Sequence, residues 1–215
     1  MLKILRSTDE IDPVTREKSW DQTYKSFEIE KKNNQLFNDK VEGYSEYIDI
    51  LEKFFLNKDI NKMMMVELAC GSAPLAFYFR QKFNKNIICS DYSQIILNRL
   101  KKDYSFEIKK SDISNLSDFE DNSLDYIFLG GGFYEDPNPN FFSKVFSSLK
   151  KKLKDNGKIF IFMNRHKSFI NLKSYLQSLY FCKIRPQSWR WLRKVFHKDD
   201  ISYEVALYLY SVKFI

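Results

Sequence analysis

The chain has 215 residues, 44% hydrophobic and 17% aromatic, enough apolar material for one sizeable core with additions. It has no run of about eighteen apolar residues, which excludes a transmembrane helix, and Met1-Leu2-Lys3-Ile4-Leu5-Arg6 turns charged too early for a secretory signal. The net charge of +7 is compatible with anionic partners. Cys70, Cys89 and Cys182 are too unevenly spaced for a disulfide framework or a zinc site, so small buried thiols, no metal and a cytoplasmic location are expected.

Residues 1–61 read as polar and helical. Trp20-Asp21-Gln22-Thr23-Tyr24 places two aromatic rings at i, i+4. Tyr44 to Phe55 carries apolar residues at three- and four-residue steps, an amphipathic helix. The chain is organised around the next stretch. Met63 to Leu68 is an apolar run interrupted only by Glu67, suited to a buried parallel strand. Ala69-Cys70-Gly71-Ser72-Ala73 is a turn of small residues, and Pro74 fits the first turn of the helix that Leu75 to Phe83 continues. Such a strand–turn–helix points backbone N–H groups into the crevice at the strand's carboxyl end. About twenty residues on, Asn86 to Ser90 is a second short strand ending in Asp91. An acid at that offset suits the vicinal hydroxyls of a ribose. The crevice is therefore expected to hold a nucleoside.

The dinucleotide fingerprint requires Gly-x-Gly-x-x-Gly, and only Gly71 is present. Glu67 would repel a pyrophosphate and could favour a cationic ligand. Glu67-Leu68-Ala69-Cys70-Gly71-Ser72-Ala73 resembles the first motif of the class I S-adenosylmethionine-dependent methyltransferases, acid-hydrophobic-Gly-x-Gly-x-Gly. Alanine stands at positions 69 and 73, small enough for the turn while φ stays negative. The resemblance implies an α/β, Rossmann-like, doubly wound and mostly parallel sheet of about seven strands, with helices on both faces. It also implies an N-terminal helical cap over residues 1–61, a methyltransferase-like domain over 62–215 and S-adenosyl-L-methionine as cofactor. Residues 1–61 would then bring Tyr24 to the cofactor. Glu67, Ala69, Cys70, Gly71, Asp91 and Tyr92 would line its site.

The later stretches extend the resemblance. Ser93 to Lys102 reads as a helix. Phe106-Glu107-Ile108 leads to Asp112-Ile113, an acid and an aliphatic residue that in this family meet the adenine. Leu124 to Leu129 reads as the fourth strand and runs into Gly130-Gly131-Gly132, where Gly130 would approach the cofactor. Tyr134 and Glu135 follow, placed to meet an acceptor. A helix from Asn140 to Lys152 leads to Leu153-Lys154-Asp155-Asn156-Gly157-Lys158, similar to the family's turn before the fifth strand. Gly157 is expected to supply the helix-ending conformation. His166, beyond the fifth strand, is a candidate base. Ser168 to Phe181 reads as a helix and 182–198 as irregular to helical. Ser202 to Ile215 reads as a terminal strand on the antiparallel edge.

Methyl transfer from a sulfonium needs alignment, water exclusion and, for a hydroxyl acceptor, a base. Catalytic candidates are thus few: His166, Glu135 and Tyr134. Between Asn156 and Lys198 there is no Asp or Glu, but there are ten Lys and Arg, with Trp189, Trp191 and Phe196 interleaved. The expected function is transfer of a methyl group to O or N of a small or glycan-like acceptor carrying phosphate or carboxylate. The alternative for the basic segment 183–198 is RNA or an anionic membrane surface. A nicotinamide oxidoreductase and a non-catalytic nucleoside-binding module are the readings from other classes.

Overall fold

The computed structural model describes residues 13–37, 44–129, 139–163, 182–186 and 208–214. Three helices come first: α1 (Pro13–Lys25), α2 (Ile29–Phe37) and α3 (Tyr44–Phe55). Then follow β1 (Met65–Leu68), α4 (Pro74–Phe83), β2 (Ile88–Asp91), α5 (Gln94–Tyr104), β3 (Ile108–Lys110) and β4 (Leu124–Leu129). The remainder is α6 (Pro139–Lys152), β5 (Leu153–Met163), β6 (Cys182–Pro186) and β7 (Tyr208–Phe214). The seven described strands form one sheet in the order β3-β2-β1-β4-β5-β7-β6. β1 to β5 are parallel; β7 runs antiparallel to both β5 and β6. The α/β, Rossmann-like architecture is the expected one.

The winding follows from this order. From β1 the chain moves one way in the sheet, through α4 to β2. From β4 it moves the other way, through α6 to β5. Right-handed crossovers in opposite directions place α4 and α6 on opposite faces. The reversal falls between β1 and β4, where a crevice opens at the carboxyl ends of the strands.

Strand periodicity sorts the core. Met65, Cys89, Tyr126, Phe128 and Phe160 share one cluster with Leu51 and Phe55 of α3, Phe79 of α4 and Ile96 and Leu100 of α5. Phe55 is its hub, with ring centroids 4.9 Å from Tyr126, 5.2 Å from Phe79 and 5.8 Å from Phe160. The alternate residues Val66, Ile88, Ile127 and Ile159 pair side by side in the register and point to the other face. At the amino ends, Asp125 Oδ2 accepts from the Met64 N–H at 2.8 Å and from Lys154 Nζ at 2.8 Å. This joins the starts of β1, β4 and β5.

Two sequence expectations are corrected. The terminal strand β7 is antiparallel but interior, between β5 and β6; the edge is β6. Residues 182–186, expected to be irregular or helical, are that edge strand. Pro186 has no N–H to offer a further strand, so it is tolerated on an edge, and pairing with β7 overrides the weak local signal. The turn around Gly157 also differs. Leu153 pairs with Leu124 and Lys158 with Tyr126, so five residues of β5 span two of β4 in a bulge. Gly157 is not at positive φ. It is required for space, because an added Cβ would lie 2.6 Å from Leu153 Cγ and 3.0 Å from the Leu124 carbonyl oxygen. The expected helix over 168–181 lies outside the described residues.

Gly157→Ala should therefore destabilise the protein by about 1–3 kcal/mol through overpacking. Urea unfolding of the two proteins measures it; an unchanged midpoint would refute the packing account.

Candidate functional site

The turn between β1 and α4 is strained. Ala69, Gly71 and Ala73 all lie in the left-handed region, at φ 50°, 51° and 53°. The expectation that the two alanines keep negative φ is thus corrected. The alternation explains a motif of three spaced glycines, since each such position needs φ > 0. An L-residue there costs about 1 kcal/mol or more.

Two buried carboxyls hold the turn. Glu67, 2% exposed on β1, accepts from the Ala76 N–H at 2.9 Å and the Leu75 N–H at 3.4 Å. These are N–H groups that the first turn of α4 cannot satisfy itself. Asp91, 5% exposed at the end of β2, accepts from the Gly71 N–H at 2.9 Å, the Ser93 N–H at 3.0 Å and the Tyr92 N–H. Burial pushes the Glu67 carboxyl up to about 8; the Ala76 and Leu75 N–H groups oppose the rise and the Asp91 charge adds to it. Burial also raises Asp91, against the pull of its three N–H donors. The neighbouring Cys70 thiol is buried and pushed well up by burial, as a packed rather than reactive thiol would be. Cys70 and Cys89 are both free.

The N-terminal helices close on the same turn. Trp20 stacks on Tyr24, with centroids 5.8 Å apart. An added Cβ on Gly71 would lie 3.2 Å from the Tyr24 hydroxyl oxygen, so the ring end abuts the turn. The Asp21 carboxylate accepts from the Ser93 hydroxyl and, at 3.5 Å, from the Ile95 N–H at the start of α5. Arg99 of α5 donates to the Tyr24 carbonyl at 3.0 Å. From α2, Asn33 Nδ2 donates to the Ser72 carbonyl at 2.9 Å. Sequence reasoning missed Asp21 and Asn33. A Trp-Asp pair in a helix does not announce a bond spanning 72 residues, nor a lone Asn one spanning 39.

Along the strand ends, the Ser90 and Ser111 hydroxyls share a 2.5 Å hydrogen bond, and the Ser111 N–H donates to the Asp91 carbonyl at 3.1 Å. Asp112 Oδ1 accepts from the Ser114 N–H at 2.8 Å and the Ser114 hydroxyl at 2.7 Å, a turn-forming role. Ile113 beside it is half-buried, as is Tyr92. The structure thus gathers Tyr24, Glu67, Ala69, Cys70, Gly71, Asp91 and Tyr92 around one turn, with Asp112 and Ile113 beyond β3. Gly130, Tyr134, Glu135 and His166 lie outside the described residues.

This geometry decides against a pyrophosphate. A dinucleotide needs the N–H groups at the start of the first helix, and here the Glu67 carboxyl occupies them.

Residues 65–157 match a family model described as a methyltransferase domain. A search of curated protein sequences finds no match. Solved structures share the fold. A TehB-like S-adenosylmethionine-dependent methyltransferase from Corynebacterium glutamicum is 13% identical, with a TM-score of 0.55 over 78% of this chain and 86% of its own. Geranyl diphosphate C-methyltransferase from Streptomyces coelicolor, in complex with Mg2+, geranyl diphosphate and S-adenosylhomocysteine, is 11% identical, with a TM-score of 0.55 over 91% and 88%. A phosphoethanolamine N-methyltransferase from Haemonchus contortus, in complex with phosphomonomethylethanolamine and S-adenosylhomocysteine, is 16% identical, with a TM-score of 0.55 over 94% and 59%. The domain match and the fold are those of class I, Rossmann-like methyltransferases. Residues 65–157 thus carry a methyltransferase domain, and S-adenosylmethionine is the cofactor named for structural neighbours of this fold. The residues present fit that group. The N–H groups at the start of α4 are taken by Glu67 and that of Gly71 by Asp91, which suits a ligand that brings no phosphate to the turn. Gly71 leaves open the space a Cβ would fill beside Tyr24, and one buried amide oxygen nearby lacks a donor.

Two consequences are measurable. Ala69→Gly should stabilise the protein by about 0.5–1 kcal/mol, relieving left-handed strain at a half-buried site. Ala73→Gly should come out near neutral, because it also removes a fully buried methyl group. Chemical denaturation checks both, and a loss at position 69 would refute the strain.

The second concerns pH. A carboxyl raised from 4.5 to about 8 keeps a proton in the folded state that the unfolded chain has released. Its contribution to stability therefore falls as pH rises between those values and is level above them. Glu67→Gln should flatten that fall by about 1.4 kcal/mol per pH unit within the window. Denaturation curves at pH 5, 6, 7 and 8 measure it; parallel pH profiles for the two proteins would show that Glu67 is ionised throughout.

Proposed function

We propose that the protein transfers a methyl group from S-adenosylmethionine to oxygen or nitrogen of a small or glycan-like acceptor bearing phosphate or carboxylate. The observation that carries this is the interval from Asn156 to Lys198, ten Lys and Arg with no acid. It begins in the β5 bulge and includes the edge strand β6. The turn after β1, by contrast, is lined by carboxyls. On this reading the interval supplies positive charge to an anionic acceptor, apart from the turn that takes the cationic cofactor. Two neighbours of the fold support the class, since both were crystallised with phosphate-bearing compounds.

When bound, the cofactor supplies an electrophilic methyl group on a sulfonium. On this reading Asp91 and Tyr92 meet the ribose, Asp112 and Ile113 the adenine, and Ala69, Cys70 and Gly71 let the backbone approach. Glu67 keeps the turn and the start of α4 in place. Tyr24 closes the crevice from α1, and Gly130, outside the described residues, is a further candidate to meet the cofactor. Alignment of the acceptor and exclusion of water fall to the protein. Tyr134, Glu135 and His166 are the candidates to hold an acceptor proton; an amine acceptor needs only to be kept unprotonated. Among the described residues, no helix is long and apolar enough to cross a membrane.

The test uses the full chain and methyl-labelled cofactor against matched acceptors: phosphorylated or carboxylated amines and alcohols, their neutral parents, RNA and anionic vesicles. Label should appear on O or N of an anionic small molecule, with at least tenfold higher kcat/KM than on its neutral parent. Equal turnover of the neutral parent would overturn the anionic assignment. Turnover confined to RNA or vesicles, collapsing with salt, would transfer the function to those partners.

A further inference from the structure

We propose that Asn33 of α2 binds the amino-acid end of the cofactor through its side-chain oxygen. The proposal rests on reading the turn after β1 as the S-adenosylmethionine site. Asn33 is 6% exposed. Its Nδ2 donates to the Ser72 carbonyl at 2.9 Å. Its Oδ1 has no hydrogen-bond partner, and among the described residues it is the one buried side-chain N or O atom in that state. Exchanging the two atoms does not rescue it, because the oxygen would then face the Ser72 carbonyl oxygen. The orientation is therefore fixed by Ser72, and the oxygen stands as a buried acceptor awaiting a donor. Such a group marks a place that a ligand or water completes.

The sheet order indicates which donor. Asp112 follows β3, Asp91 ends β2, and Ser72 belongs to the turn after β1. A nucleoside laid across these strand ends, adenine at β3 and ribose at β2, presents its tail at β1. That tail carries a carboxylate, which offers no hydrogen, and an α-ammonium, which offers three on a positive charge. The Asn33 oxygen takes the ammonium, and its Nδ2 keeps the turn carbonyl in place. One amide thus joins the helical N-terminus, the strained turn and the ligand. A charge-assisted bond of this kind is among the stronger ones available to a neutral side chain.

The experiment is calorimetric titration of the full-length protein and its Asn33→Ala variant with two ligands. One is S-adenosylhomocysteine. The other is 5′-methylthioadenosine, the same nucleoside without the amino-acid tail. The variant should bind S-adenosylhomocysteine roughly 10- to 100-fold more weakly and 5′-methylthioadenosine with little change. Equal losses for both ligands would overturn the proposal and leave Asn33 as a brace for Ser72. No loss for either would overturn it as well. If wild-type protein bound neither compound, the cofactor reading beneath the proposal would fall with it. Should the variant not fold, the wild-type protein still decides by nuclear magnetic resonance. The Asn33 side-chain amide signal should move with S-adenosylhomocysteine and stay with 5′-methylthioadenosine; the same movement with both overturns the assignment.

Discussion

The arrangement depends on two carboxyls buried at the ends of neighbouring strands. Between Leu68 and Pro74 the backbone passes three times through a conformation that L-residues avoid, twice at alanine. Within the turn, Gly71 tolerates that path and the Ala73 N–H donates to the Cys70 carbonyl at 2.7 Å, but the two alanines oppose it. It is held because Asp91 gathers the N–H groups of Gly71, Tyr92 and Ser93, and Glu67 those of Leu75 and Ala76. Each carboxyl is taken out of water to do so, and each is raised from its ordinary pKa by that burial. The amide bonds offset part of the desolvation. The result is a rigid start for α4 and a turn surface that neighbouring elements can dock on.

Those elements are the N-terminal helices. Tyr24, Asp21 and Asn33 reach the turn or the start of α5 from α1 and α2. Glu17 of α1 pairs with Lys110 at the end of β3 at 2.6 Å, a half-exposed contact of small energetic weight. Leu51 and Phe55 of α3 lie in the core cluster on the sheet, as do Tyr24 of α1 and Ile29 of α2. All three helices therefore supply core, and α1 and α2 also reach the turn after β1 or the start of α5. The same carboxyl that fixes α4 also separates this site from a dinucleotide site, because the helix start is already occupied.

Much of the fold was legible. The apolar runs of β1, β2 and β4 and the Pro74 start of α4 follow from patterns that burial on both faces and helix geometry impose. Asp91 was legible as the key acid, though its carboxylate is engaged with backbone N–H groups rather than standing free. What was not legible has physical causes. The bulge in β5 depends on Leu124 and Leu153 crowding Gly157, and no local signal encodes that contact. β6 is five residues long, with two cations and a proline, and its strand state comes from β7, more than twenty residues away.

The sequence by itself determined the alternation of strands and helices, the turn of small residues and the acid at the end of the second strand. These are local or periodic features, and periodicity is what side-chain direction writes into a chain. Tertiary structure decided which N–H groups each carboxyl receives, the left-handed path of Ala69 and Ala73, the interior place of β7 and the reach of Asn33 to Ser72. Those outcomes depend on pairings between residues far apart in the chain. Their energies exist only once the sheet has assembled and water has been removed.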